Sequence, residues 1–225
     1  LFIQELITGE TLAKIPLNSH QRKFFFPIAN PTLTSFQIRG KEFSYLSILE
    51  PGSKKQLIFQ GEEFQTENNQ ADFLANYIWN STDEMFSRYG RLLFGTRDLE
   101  LVKEKFDSLV ASREVLQNDA KPQLSQGEKA VLSYQNLARA YNFLMYYGRI
   151  VNQLPPNDPY FDFIEKIPDY GQEARSLPDM ILYKYEIEYL RKNDSIPSIP
   201  AFLEIIESKT TETDLSAFLK AYYIQ

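Results

Sequence analysis

The sequence predicts an α+β fold in which a small N-terminal antiparallel β-sandwich or open barrel is followed by a mainly α-helical region. Short runs rich in Phe, Ile, Thr and Tyr are separated by turn residues as far as about residue 65. From about Thr66 the apolar residues recur at helical spacing instead. The charge balance changes at the same place: residues 1–65 carry 7 basic and 6 acidic side chains, whereas residues 66–225 carry 17 and 24. We therefore divide the chain into a β-rich module, residues 1–65, and an α-helical region, residues 66–225.

Five short runs predict the strands of the β-rich module: residues 11–17, 22–28, 32–39, 42–49 and 54–60. Strands that follow one another at intervals of about ten residues are typical of antiparallel meanders, sandwiches and open barrels. Pro51-Gly52 is the clearest turn, because Pro presets one central dihedral angle and Gly tolerates the next. We expect the apolar residues Leu1-Phe2-Ile3 to pair into the same sheet.

Three apolar stripes predict amphipathic helices that each bury one face. They consist of Leu74, Ile78, Met85, Tyr89 and Leu92; of Leu99, Val102, Phe106, Leu109 and Leu116; and of Ala130, Tyr134, Leu137, Tyr141, Leu144, Gly148 and Val151. The proline-rich run 155–159 is expected to end the third helix, and a short helix follows at 160–166. Further helix starts are predicted at Ser176 with Pro178, running to about Lys192; at Ser198 with Pro200; and at Thr211 or Thr213.

Composition excludes several classes of protein and of site. With 43% apolar and 14% aromatic residues, the chain is not intrinsically disordered, and no apolar run is long enough to cross a bilayer. A net charge of −6 argues against nucleic-acid binding. The absence of Cys rules out disulfides, thiolate metal sites and thiol catalysis within this chain. His20 is the one imidazole, and its polar turn, residues 18–21, is typical of a solvated loop.

Carboxylates are the remaining side chains that could act in catalysis. Asp158, Asp162 and Glu165 recur at helical spacing, as do Glu100 and Glu104. Two acids could act as the acid and base of a glycosidase if they faced each other across a cleft. Spacing along one helix is instead typical of a solvated face or of first-turn acids that favour the helix dipole. We therefore predict no catalytic, cofactor-binding or metal-binding residue, and no cofactor.

Tyrosine is unusually frequent on two of the predicted helices. Tyr134, Tyr141, Tyr146 and Tyr147 lie on one helix, and Tyr183, Tyr185 and Tyr189 on another. A Tyr-lined groove can bind an extended peptide or a sugar, since each ring offers apolar area and a hydroxyl group. A helical stripe is more often buried, however, with the hydroxyls reaching the surface. Which residues bind a ligand stays open.

The order of the predicted strands, turn and helical segment resembles that of a known family. The strand Tyr45-Leu46-Ser47-Ile48-Leu49 runs into a Glu50-Pro51-Gly52 turn and a further strand, and a helical segment rich in Asn, Glu, Lys and Tyr follows. This resembles the N-terminal region of bacterial TlpA-like thiol–disulfide oxidoreductases, and the resemblance covers most of residues 10–225. In that family a C-terminal thioredoxin fold with a Cys-x-x-Cys centre follows both parts. This chain contains no such fold and no Cys, so none of the family's catalytic residues can be placed on it.

The resemblance implies a non-catalytic N-terminal region of an extracytoplasmic enzyme, in the periplasm or on an outer-membrane lipoprotein. That region would position the redox domain or bind its protein client, and whether the whole protein is an enzyme stays open. Since the chain begins at Leu1 rather than Met and lacks a helix stop signal before Gln225, we expect the thioredoxin-like domain to lie beyond Gln225. Two alternatives remain: a stand-alone helical scaffold that binds a protein or peptide, and an enzyme that uses acids alone.

Overall fold

The α+β prediction is confirmed by a computed structural model of the chain, in which an N-terminal antiparallel sheet is followed by helices. The structure describes residues 2–7, 9–15, 34–41, 43–52, 54–56, 58–60, 63–65, 69–96, 98–193 and 195–225. Its strands are β1 (Phe2–Glu5), β2 (Thr11–Lys14), β3 (Thr34–Arg39), β4 (Ser44–Leu49), β5 (Ile58–Gln60) and β6 (Glu63–Gln65). Its α-helices are α1 (Gln70–Gly95), α2 (Leu99–Asn118), α3 (Gln126–Tyr146), α4 (Asp179–Leu190), α5 (Ile199–Lys209) and α6 (Thr213–Ile224).

Four of the described strands form one antiparallel sheet in the order β2-β1-β3-β4, and β5 pairs with β6 as a separate hairpin. The expectation that the apolar start pairs into the sheet is confirmed for Phe2 and Ile3, which lie opposite Arg39 and Ile38 of β3. The predicted strand at 22–28 lies outside the described residues. Strand β6 was not among the predicted strands, which ended with the run 54–60. The division of the chain at residue 65 stays a prediction.

One face of the sheet carries its own apolar cluster. Ile3, Phe36, Ile38 and Tyr45 are buried there, with Ile15 after the end of β2. Leu46 and Ile48 of β4 instead pack against Ala71, Leu74, Ala75 and Ile78 of α1 and against α3. Alternate residues of β4 therefore belong to different clusters, as the two-residue period of a strand requires. Strand β4 is thus the main element through which the sheet meets the helices.

Helix α1 bonds to the outer edge of β4 as a neighbouring strand would. The Asn76 side chain accepts from the Leu46 N–H (2.9 Å) and donates to the Leu46 carbonyl (2.7 Å). Two residues further along β4, Asp72 Oδ1 accepts from the Ile48 N–H (2.9 Å). The spacings match, because four helical residues advance about 6 Å and two strand residues about 6.6 Å. The exposed row of backbone groups that makes a sheet edge prone to further pairing is satisfied here by side chains.

Asp72 is the centre of this attachment. It is completely buried and also accepts hydrogen bonds from the Ser47 hydroxyl (2.8 Å) and the Tyr45 hydroxyl (3.2 Å). Lys55 Nζ lies 2.5 Å from Asp72 Oδ1 and 2.5 Å from the Ile48 carbonyl oxygen. A buried carboxylate is tolerated only with such partners. Burial and the Asp72 charge raise the pKa of Tyr45 well above its usual value, so its hydroxyl stays protonated as a donor.

Helix α3 is the centre of the helical region and is buried on nearly every side. A capping box starts it, since the Ser125 hydroxyl accepts from the Glu128 N–H and the Glu128 carboxylate accepts from the Ser125 N–H. The predicted stripe is correct at Tyr134, Tyr141 and Leu144 and wrong at Ala130, which is exposed. Val151 is exposed as well, because the chain after α3 forms a π-helical turn, Tyr147–Val151, in which the three- and four-residue spacing no longer holds.

The predicted stripes on α1 and α2 drift away from the buried face. On α1, Leu74 and Ile78 are buried, but Tyr89 and Leu92 are exposed and Leu93 is buried in their place. On α2, Val102 and Phe106 are buried as predicted, whereas Leu116 is 40% exposed. The buried face of α2 continues instead through two polar residues, Arg113 and Gln117.

Arg113 is 1% exposed, and every acceptor found for it among the described residues is neutral. Its Nη2 donates to the Ile78 carbonyl (2.6 Å) and the Thr82 hydroxyl (2.5 Å), and its Nη1 donates to Asn136 Oδ1 (3.4 Å). Burial, followed by the nearby charge of Arg139, lowers the pKa of Arg113 to about 10. The guanidinium therefore remains protonated at neutral pH and joins α2 to both α1 and α3.

The chain between α3 and α4 contains two 3-10 helices, Pro159–Lys166 and Gln172–Ser176, and the first confirms the short helix predicted at 160–166. The predicted cap at Ser176 is wrong. Its hydroxyl donates to the Glu173 carbonyl (2.8 Å) within the second 3-10 helix, and Pro178 precedes α4 without a side-chain cap. The Ser198 cap is confirmed, since its hydroxyl accepts from the Ala201 N–H, and α6 begins at Thr213 as predicted.

Candidate functional site

A groove of about 390 Å³ lies between α4, α5 and α6. Four aromatic rings and two carboxylates provide most of its wall: Tyr183, Phe202, Tyr222, Tyr223, Asp179 and Glu186. The two acids and Tyr183 share one face of α4 because they are spaced by four and three residues. Phe202 of α5 is buried at 2% exposure, and its ring centroid lies 4.4 Å from that of Tyr223. The three tyrosines are half-buried, so ring surface remains open to a ligand.

The polar groups of the groove differ in whether they already have a hydrogen-bond partner. The Tyr222 hydroxyl donates to Asp179 Oδ1 (2.9 Å). Burial and this bond raise the pKa of Tyr222 to about 12. Glu186 has neither a hydrogen bond nor an ion pair with any residue that the structure describes. Burial raises the pKa of Glu186, and the charge of Arg149 opposes that shift. The groove therefore combines aromatic surface with one satisfied carboxylate and one carboxylate open to a partner.

The acids singled out in the sequence serve structural contacts. Asp158 caps the 3-10 helix Pro159–Lys166 by accepting from the Tyr160 N–H (2.9 Å). Asp162 and Glu165 both pair with Arg191 after α4, at 3.3 Å and 2.9 Å. Glu100 and Glu104 are exposed on α2. The structure brings none of these acids into the groove, and it gives the acid-only enzyme no support.

The seven tyrosines singled out in the sequence separate into packed residues, one exposed residue and one groove residue. Tyr134 and Tyr147 are fully buried, and their hydroxyls donate to the carbonyls of Leu177 and Thr96, each at 2.6 Å. Tyr141 and Tyr185 are also buried, Tyr189 is half-buried and Tyr146 is exposed. Tyr183 alone among the seven lines the groove. Packing therefore explains most of this set, although the hydroxyls of the fully buried rings end on backbone carbonyls rather than at the surface.

Sequence reasoning missed the partners of Tyr183. Tyr222 and Tyr223 stand next to each other near the end of α6, and Phe202 lies in the first turn of α5. The adjacent tyrosine pair was a visible signal, because neighbouring positions on a helix cannot both face the core. Asp72 and Asn76 were missed too. They share one face of α1 because they are four residues apart, but that face differs from the one that carries Leu74 and Ile78, so their burial was not visible in the apolar pattern.

Other candidate sites find no support in the described ranges. His20 lies outside them. Within them, no group of three His, Asp or Glu side chains is placed to hold a metal ion. Among the helices described, none is both long and apolar enough to span a membrane.

Comparisons with protein families, with curated proteins and with solved structures found no match to this chain. The chemistry of the groove is therefore inferred from its own residues.

Proposed function

We propose that this chain is the non-catalytic N-terminal region of an extracytoplasmic thiol–disulfide oxidoreductase of the TlpA-like kind. In this proposal it belongs to a periplasmic protein or an outer-membrane lipoprotein. It positions a thioredoxin-like domain of the same protein or binds the client of that domain. The resemblance described above is the origin of the proposal, and the way in which the sheet is attached to the helices supports it.

The attachment of the sheet is the observation that carries the proposal. A region that positions another domain must hold one orientation, and directional hydrogen bonds restrict orientation more than apolar contacts do. Strand β4 is bonded along its outer edge to Asp72 and Asn76 of α1. In the core, Gln135 Nε2 of α3 donates to the Ser35 hydroxyl of β3 (2.9 Å). Two strands are thus bonded to two helices, which favours a rigid platform.

The Glu50-Pro51-Gly52 turn takes part in the same attachment. Gly52 has a φ of +70°, a left-handed conformation that favours glycine. The Ser125 hydroxyl, which caps α3, donates to the carboxylate of Glu50. The residues that carry the resemblance therefore connect the β-rich module to the central helix. In a region that positions another domain, this contact would give the turn a structural role.

The first test is the intact mass of the native gene product, purified from its source and compared with 26.2 kDa. The proposal predicts an excess of about 100–150 residues, the size of one further domain. Peptide mapping of that excess should find a Cys-x-x-Cys sequence, and fractionation of the cells should place the product outside the cytoplasm. A native mass of 26.2 kDa would refute the oxidoreductase assignment.

If the further domain is found, a second test measures positioning in the whole protein. Asp72→Asn should slow disulfide reduction of a protein client, because the platform loosens, and should leave reduction of a small disulfide unchanged. Asp83→Asn is the matched control, since Asp83 lies on the same helix but is 69% exposed and pairs with Arg139 at the surface. Equal effects of Asp72→Asn on both substrates would contradict a positioning role.

The groove favours a second candidate function, a scaffold that binds a protein or peptide and has no redox role. Its open tyrosine rings and its unpaired Glu186 are the features that support it. A native product of 26.2 kDa that still bound a peptide in this groove would favour the second candidate over the first.

A further inference from the structure

We propose that the groove between α4, α5 and α6 binds an arginine or lysine side chain presented by an extended, basic segment of a protein partner. The inference does not rest on the oxidoreductase proposal, because it needs only the groove. It concerns a partner of stated chemistry, a basic peptide, and it names Glu186 and the tyrosine rings as the groups that recognise it.

The size and shape of the groove suit a side chain. Ligand pockets for small molecules measure about 300–1,000 Å³, so a groove of about 390 Å³ lies at the lower end of that range. A folded domain cannot enter it, whereas one or two side chains of an extended peptide can. The groove is partly open to solvent, which allows the peptide backbone to continue past it.

The aromatic wall suits the long stem and the charged end of Arg or Lys. Tyr183, Tyr222 and Tyr223 are half-buried and offer ring faces to the methylene groups of such a stem. A cation near a ring face gains electrostatic attraction from the ring quadrupole. This chain already uses that contact elsewhere, since the guanidinium of Arg139 lies 4.1 Å from the centroid of Trp79.

The charge of the groove is complementary to a cation. Asp179 accepts from Tyr222, but Glu186 has no hydrogen bond or ion pair among the residues described. Arg149 is the positive group close enough to influence Glu186, and its Nη1 donates to the Leu154 carbonyl (3.5 Å). The surrounding helical region carries 24 acidic and 17 basic residues, so its long-range field also attracts a basic segment. An anionic or neutral partner gains no attraction from Glu186 or from the acidic field.

The test is a titration of the purified chain with three tripeptide probes, N-acetyl-Gly-X-Gly-amide with X as arginine, lysine or norleucine. Binding is followed by NMR of the methyl groups, and the Leu182 methyls report on the groove because Leu182 lines it. We expect the arginine and lysine probes to shift these signals with a Kd on the order of 1 mM, as suits so small a ligand. The norleucine probe matches the lysine stem and lacks its charge, so it should bind more weakly.

Two variants assign the binding to the proposed groups. Glu186→Gln should weaken the arginine probe by about fivefold, the upper end of what a partly exposed ion pair contributes. Tyr183→Ala should also weaken it, and its fold is checked by circular dichroism. Glu204→Gln on α5 is the matched control, because Glu204 is exposed and does not line the groove. It should leave the Kd unchanged.

Three results would overturn the proposal. The first is the absence of any shift at Leu182 with the charged probes. The second is equal affinity for the norleucine and lysine probes, which would make the groove an apolar site without charge recognition. The third is an equal loss of affinity in Glu186→Gln and Glu204→Gln, which would reduce the attraction to the general acidity of the helical region. None of these results bears on the native mass, so this test and that of the proposed function fail separately.

Discussion

Asp72→Asn removes the negative charge by which Asp72 of α1 binds the sheet and keeps the volume of the side chain. The wild-type carboxylate is completely buried and accepts from the Ile48 N–H, the Ser47 and Tyr45 hydroxyls and Lys55. An amide offers one acceptor oxygen and two donor hydrogens, so at least two of these donors lose their acceptor. Lys55 is only 14% exposed and loses its counter-charge.

The expected loss in the free energy of unfolding is about 3–5 kcal/mol, the cost of removing one partner from a buried ion pair. Domains are commonly stable by about 5–15 kcal/mol, so the variant should lose a large part of its stability but remain folded at room temperature. The control, Asp83→Asn, breaks an ion pair whose carboxylate is 69% exposed, and it should lose no more than about 1 kcal/mol.

Urea unfolding measures both losses, followed by circular dichroism and by the fluorescence of Trp79. This tryptophan lies on α1 and packs against both the cluster under β4 and the central helical cluster, so it reports on the attachment. A double-mutant cycle with Lys55→Met isolates the ion pair, and Asp72→Asn should cost less in the Lys55→Met background. Similar losses for Asp72→Asn and Asp83→Asn would refute the view that Asp72 holds the sheet in place.

Three further predictions concern the helical core. Gly148→Ala should destabilise the protein by about 1–3 kcal/mol, because a Cβ there would lie 2.6 Å from the ring of Tyr160. Gly90→Ala on α1 is the control: its Cβ meets no atom within 4 Å, so it should stabilise the protein by about 0.5–1 kcal/mol. Thermal unfolding compares the two variants. Arg113→Lys should lose about 2 kcal/mol in urea unfolding, since one ammonium cannot reach the acceptors on both α1 and α3, and a loss no larger than that of the exposed Arg88→Lys would contradict this. The buried tyrosines have raised pKa values, so the unfolded state loses their protons first; the free energy of unfolding should fall above about pH 10, by about 1.4 kcal/mol per pH unit for each such tyrosine. The part of the tyrosinate absorbance that comes from the buried rings should then rise together with the loss of helix, and a complete rise before that loss would contradict the prediction.

The sequence predicted the elements whose pattern is local. The turn at Pro51-Gly52, the cap at Ser198 and the buried stripe through Tyr134 and Leu144 depend on neighbouring residues alone, and each is present. The buried face of α2 could not be predicted in the same way. A search for apolar residues selects Leu116 rather than Arg113, because a guanidinium is buried only where acceptors from other helices surround it.

The candidate groove shows the same limit. Tyr183 was among the residues singled out, but four other tyrosines of that set, Tyr134, Tyr141, Tyr147 and Tyr185, are buried. Whether a ring packs in the core or lines a groove depends on how α4, α5 and α6 are arranged, and helical spacing does not specify that arrangement. The acids near Asp158 were chosen for their spacing, yet Arg191, distant in sequence, decides their role.

The attachment of the sheet combines two kinds of contact with different consequences. Leu46 and Ile48 pack against small and apolar side chains of α1, and such non-directional contacts permit small shifts of α1 along β4. The bonds from Asp72 and Asn76 do not, because a shift of α1 by one residue would move both side chains off the edge of β4. Apolar burial therefore supplies most of the attraction, and the two polar residues select one register. A platform of this kind can hold an attached domain or a bound peptide in a fixed direction even when its net stability is ordinary.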